Sequence, residues 1–233
     1  MCGIILRWSL PQTHLSVDSN NAVSKGMNLV ATMAALVLGL LVSSAKTFYD
    51  SQSTELTEMS AKIILLDRML ADYGPETNEV RDVLRDIVAD SINRTWPQER
   101  AGASKLVAPS KEPEVLIAKI RRLSPKDESH RALQGQALNI GTGLIQTRWL
   151  MYEQQSNSVS KPMLVILVFW LTAIFISYGL FTPGNATART VLFVAALSVS
   201  GAIFLILEMY APFGGLIEIS SGPLRAVIAQ LGR

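Results

Sequence analysis

Apolar residues concentrate in three strongly apolar stretches, Met27 to Ser44, Met163 to Phe181 and Thr190 to Leu207, with a polar segment of more than a hundred residues between the first two. At 1.5 Å per helical residue, about 17 to 19 residues reach roughly 26 to 29 Å, close to the hydrocarbon thickness of a bilayer. The pattern predicts an all-α, multi-span helical membrane protein. Transmembrane helices are expected over 27–45, 163–181 and 190–210. A long helical bundle, 46–162, is inserted between the first and second complete spans, and 211–233 form a C-terminal surface segment. The N-terminal segment, 1–26, has only the short apolar run Gly3 to Leu6. Two readings stand for it: the end of a span that begins earlier, with Arg7 and Trp8 at the interface, or an interfacial arm.

The helical period continues beyond the first span without Gly or Pro. Val42, Ala45, Tyr49, Gln52, Leu56, Met59, Ile63, Leu66 and Leu70 follow alternating 3 and 4 spacing, the seam of a bundle helix, with Glu55, Glu58, Lys62 and Asp67 off that seam. Such a helix would project roughly 40 Å past the membrane and end at Gly74-Pro75. A second helix is expected from Pro75 to Trp96, burying Val80, Val83, Leu84, Ile87 and Ile92 and turning Arg81, Asp82, Asp86 and Asp90 outward; Pro97 closes it. A Gly-, Ser- and Pro-bearing connection over 98–112 leads to a short helix around Pro113 to Leu123. The last helix of the insert starts near Asp127, with Leu133, Ala137, Ile140, Leu144 and Met151 in heptad-like spacing and Gly135, Gly141 and Gly143 weakening it locally. Spans two and three form a hairpin through Pro183-Gly184. Tyr210, Pro212 and Phe213 mark the last membrane exit, and Leu224, Val227, Ile228 and Leu231 form an amphipathic turn suited to a membrane surface.

Composition narrows the function classes. Of 233 residues 49% are hydrophobic and 17% charged, and the formal net charge of +2 comes from interspersed signs, which argues against a nucleic-acid partner. A single Cys2 allows no internal disulfide, and Cys2, His14 and His130 build no zinc spacing, so neither metal nor cofactor is expected. Phosphate-loop, GxSxG and HExxH patterns are missing, and Gly141-Thr142-Gly143 lies in a helix pattern; no enzyme is expected. Lys46, Lys62, Arg148, Lys161 and Arg225 on the insert side outnumber Lys25 and Arg189 opposite, which puts the bundle in the cytoplasm. Asn93-Arg94-Thr95 and Asn185-Ala186-Thr187 match the glycosylation pattern by chance on this reading.

Candidate chemistry concentrates on the first span. At 100° per residue, Asn28, Thr32, Ala35, Gly39, Ser43 and Lys46 share one stripe about 80° wide. Small residues there let helices pack closely; alternatively, several copies around an axis would line a pore with neutral hydrogen-bonding groups and a ring of Lys46 favouring anions. Glu208, at the end of the third span, is an interfacial carboxylate, either paired with Arg225 or serving as a proton or ion site. Trp96-Pro97 reads as a core aromatic at a helix stop.

Several blocks together resemble the bacterial bestrophin-like domain family: Leu10-Pro11, His14-Leu15-Ser16 and Asp18-Ser19; the run Leu29 to Leu41 with Ser44-Ala45-Lys46; Trp96-Pro97; and Pro212-Phe213-Gly214-Gly215-Leu216-Ile217. The resemblance implies four membrane helices around a long helical cytoplasmic region in the inner membrane. Through the more distant true bestrophins, it also implies an oligomeric anion channel. The small-residue stripe departs from their bulky constriction, and no acidic calcium clasp is present. Two hypotheses follow: a homo-oligomer in the lipid bilayer passing small anions, or a non-conducting scaffold or sensor whose bundle binds a partner.

Overall fold

The computed structural model describes residues 17–96, 112–156, 160–181 and 185–231, and every regular element among them is helical. Helix α1 runs Val17–Tyr73, followed by a single 3-10 turn at Pro75–Thr77, α2 Asn78–Thr95, α3 Glu112–Arg121, α4 Glu128–Ser156, α5 Lys161–Phe181, α6 Ala186–Met209 and α7 Gly222–Gln230. Two compact units divide the chain. One holds the described residues of Met1–Thr47 and Val159–Leu207, the other those of Phe48–Ser158 and Glu208–Arg233. The readings for the N-terminal segment to residue 16, for most of the 98–112 connection and for Pro183-Gly184 lie outside the described residues.

In the first unit, α1, α5 and α6 carry the apolar stretches and are long and apolar enough to cross a membrane. Their large apolar side chains stay exposed on the single chain, Leu29, Leu36, Phe169 and Phe193 among them. Helices that meet every backbone hydrogen bond internally while presenting apolar side chains outward suit a lipid solvent. Asn185 starts α6 as its cap, its Oδ1 accepting the Ala188 N–H at 3.0 Å, which gives the Asn-Ala-Thr pattern a structural purpose.

The second unit is a helical bundle with one continuous core. Leu56, Met59, Ile63, Leu66 and Leu70 of α1 meet Val80, Leu84, Val88 and Ile92 of α2, Leu116 and Ile120 of α3, and Ala137 and Met151 of α4. Within this unit the expected seam of α1 is realised from Tyr49, partly buried, to Leu70; in the first unit Ala45 is buried, Val42 is exposed and Leu41 is buried in its place. Thr77 satisfies the end of α1, its hydroxyl lying on the carbonyls of Leu70 and Gly74. Gln134 does the same for α3, donating to Ile120 and Leu123 O, each at 2.9 Å.

Three expectations are corrected. The second helix begins at Asn78, because Pro75 and the positive φ of Gly74 (126°) hold residues 75–77 in a 3-10 turn. Arg81 does not turn outward: it pairs at 2.7 Å with Asp67, off the α1 seam, their side chains 16% and 7% exposed. Helix α4 runs unbroken through Gly141, where a β-carbon would fall 2.6 Å from Ile117 Cδ1, so the glycine suits the close approach of α3. Finally, the apolar face of α7 and the aromatic exit residue Phe213 do not face lipid. Leu224, Val227, Leu231 and Phe213 are buried in the bundle core.

Candidate functional site

On α1, Ala34, Leu41 and Ala45 are buried, whereas Asn28, Thr32, Ala35, Gly39, Ser43 and Lys46 are all exposed on the single chain. At 100° per residue the two sets are centred roughly 140° apart, so the stripe is a separate face of the helix. A β-carbon built on Gly39 meets nothing within 4 Å. Within one chain, then, no helix lies close against that glycine. Thr32 spends its hydroxyl proton on the Asn28 carbonyl at 2.9 Å, and Tyr178 of α5 donates to Asn28 Oδ1 at 3.3 Å. The hydrogen-bond donors left at that end of the stripe are the Asn28 amide N–H pair.

Glu208 has a different partner from the one expected. Its carboxylate accepts the Leu216 N–H at 2.7 Å and lies over Gly215, whose φ is 107° and whose β-carbon, if present, would sit 2.3 Å from Glu208 Oε2. Arg225 instead donates to the Ser221 hydroxyl at 2.8 Å. The carboxylate therefore closes the turn that follows α6. That turn packs on the end of α2: the Trp96 and Phe213 rings meet edge to face at 5.6 Å, and Trp96 Nε1 donates to Ile219 O at 2.9 Å. Trp96 is thus half-buried against the core, and its partner Phe213 comes from the last of the blocks that carry the resemblance.

Two polar features escaped the sequence reading. Gln52, fully buried on the α1 seam, donates to Gln154 Oε1 at 2.7 Å, and Gln154 donates to Glu55 Oε1 at 3.4 Å. Gln52 Oε1 and Glu55 Oε2 are buried acceptors without a hydrogen-bond donor among the described residues. Burial raises the Glu55 pKa, the Gln154 hydrogen bond opposes that shift, and Glu58 adds to it. A glutamine at a seam position was the available signal. The second feature is Arg148, which donates to the Ser91 hydroxyl at the edge of a cavity between helices of the bundle; heptad spacing carries no sign of it. Among the described residues no group of three His, Cys, Asp or Glu side chains comes together to hold a metal ion.

No curated protein and no solved structure matches the chain. The family model described as the Bestrophin-like domain does match it, over residues 3–224, nearly its whole length. With its bundle and, among the described residues, three membrane-length apolar helices, the chain belongs to the bestrophin-like family.

Proposed function

We propose that the protein is an oligomeric anion channel of a bacterial inner membrane, in which the Asn28 to Lys46 face of α1 from several copies surrounds the path. The observation that carries this reading is the exposure of all six stripe residues on a face separate from the buried face of α1, with open space over Gly39. Asn28 supplies donors, and a Lys46 ring adds positive potential at the bundle-side mouth. The excess of Lys and Arg on the insert side favours a cytoplasmic bundle. A second reading is favoured by the same exposed small residues, which also suit close packing between copies: a non-conducting scaffold or sensor whose bundle engages a partner.

Native mass spectrometry of the protein in lipid nanodiscs tests the choice. A closed oligomer of four or more subunits is expected, followed by anion flux in proteoliposomes. A monomer or dimer encloses too few helices for a shared axial path and overturns the channel reading.

A further inference from the structure

Between α1, α2, α3, α4 and α7 the bundle leaves a cavity of about 70 Å³. Met59, Ile63, Leu84, Val88, Leu116 and Leu144 form much of its wall, and among the described residues Arg148 and Ser91 are its polar side chains and no carboxylate lines it. Arg148 forms no ion pair with a described carboxylate. Asp90, the nearest acidic influence on it, is held by Arg94 at 2.6 Å. Burial lowers the Arg148 pKa, Asp90 opposes this, and Arg94 adds to it, so a guanidinium sits at an apolar chamber with little compensating charge. Arginine is matched to carboxylates by its planar fork of donors. A dry cavity of roughly 150 Å³ takes a benzene-sized guest, so about half that volume takes a tail of a few carbons.

We propose that this cavity is a binding site for a short-chain monocarboxylate, its carboxylate on Arg148 and Ser91 and its aliphatic tail between α1, α2 and α4. The site lies wholly within the bundle unit and does not depend on conduction. The cavity favours a compact apolar tail over a long one, and the Arg148 guanidinium favours a negative charge over none.

The test uses the full chain in nanodiscs with 4,4,4-trifluorobutyrate as probe, read by fluorine NMR against empty nanodiscs. Saturable binding with a dissociation constant on the order of 1 mM is expected. Unlabelled butyrate should displace the probe, and 4,4,4-trifluorobutan-1-ol should bind at least tenfold more weakly. Arg148→Met should weaken binding at least tenfold while helicity by circular dichroism and subunit count stay unchanged. If Arg148→Met fails to fold, Leu144→Trp, which fills the chamber, serves as the second variant and should abolish binding. A signal no larger than that of empty nanodiscs, equal binding of acid and alcohol, or full binding by either folded variant would overturn the proposal.

Discussion

Trp96 Nε1 donates to the carbonyl of Ile219, 123 residues further along the chain, at 2.9 Å. This single bond ties the end of α2 to the turn after α6, and the edge-to-face contact of Trp96 with Phe213 seals it. Trp96→Phe keeps a ring against Phe213 but removes the only donor of the indole, leaving the Ile219 carbonyl short of a partner. The expected cost is about 1 to 2 kcal/mol. Hydrogen exchange over residues 208–219 should quicken well before that over α4; uniform exchange across the bundle would separate Trp96 from the turn.

Gly215 lies opposite Glu208 in the same turn. With φ at 107° and no room for a β-carbon beside Oε2, Gly215→Ala meets backbone strain and displaces the carboxylate from the Leu216 N–H. A loss of about 2 kcal/mol is expected. Glu208→Ala should cost less, since it removes the cap without straining the backbone. Thermal unfolding of the full chain in nanodiscs ranks the two variants.

The Asp67 and Arg81 pair is bidentate, at 2.7 and 3.0 Å, and mostly hidden from solvent. Removing one partner leaves the other charge uncompensated, so Asp67→Leu should destabilise by about 3 kcal/mol. Replacing both residues with leucine should recover most of that loss, because the pair's own attraction barely exceeds its desolvation cost. A double-mutant cycle in the thermal midpoint measures the coupling.

Glu55 sets a pH dependence with a definite sign. Its pKa in the folded chain is raised, chiefly by burial, so its contribution is fullest below the unfolded carboxylate pKa of about 4.3 and is lost as pH rises through the folded value. Glu76, Glu79 and Asp127 behave oppositely. Their pKa values are lowered, the two glutamates chiefly by hydrogen bonds from Lys126 and Lys119 and the aspartate chiefly by the His130 backbone N–H, so their stabilisation is lost in acid. Glu55→Gln isolates the first effect. Relative to the natural chain, the variant should gain stability as pH rises from about 4 to 7, and a flat difference in thermal midpoint would show that Glu55 titrates as it does unfolded.

Much of the fold was legible because helical periodicity reports burial directly. Spacing found the α1 seam from Ala45 to Leu70 and the α2 core positions Val80, Leu84 and Ile92, and the Gly74-Pro75 pair marked the stop of α1. What spacing missed depends on partners distant in sequence. Arg81 looks solvated until Asp67 is placed beside it, and the apolar face of α7 reads equally well toward lipid or toward α2, since both are apolar solvents for Leu224 and Val227. Glu208 illustrates the same limit, because its donor is a backbone N–H that no residue pattern encodes. The α1 stripe was legible as a pattern, while its exposure required knowing which face of the helix the chain itself buries.

Gly39 separates the two uses of that stripe. A leucine there adds a bulky side chain where the single chain offers open space, so Gly39→Leu should leave each protomer folded. If the stripe faces a shared aqueous path, the added side chains narrow it from every subunit at once. Flux should then fall at least tenfold in an oligomer of unchanged subunit number. If the stripe instead mediates close contact between copies, the same side chain pushes helices apart and the subunit count drops. Measured together on one preparation, flux and subunit count distinguish these results, and unchanged values of both would remove Gly39 from either role. The expected result is lost flux with assembly intact, because Asn28 and Lys46 at the ends of the same face supply donors and charge that a packing surface in lipid does not need.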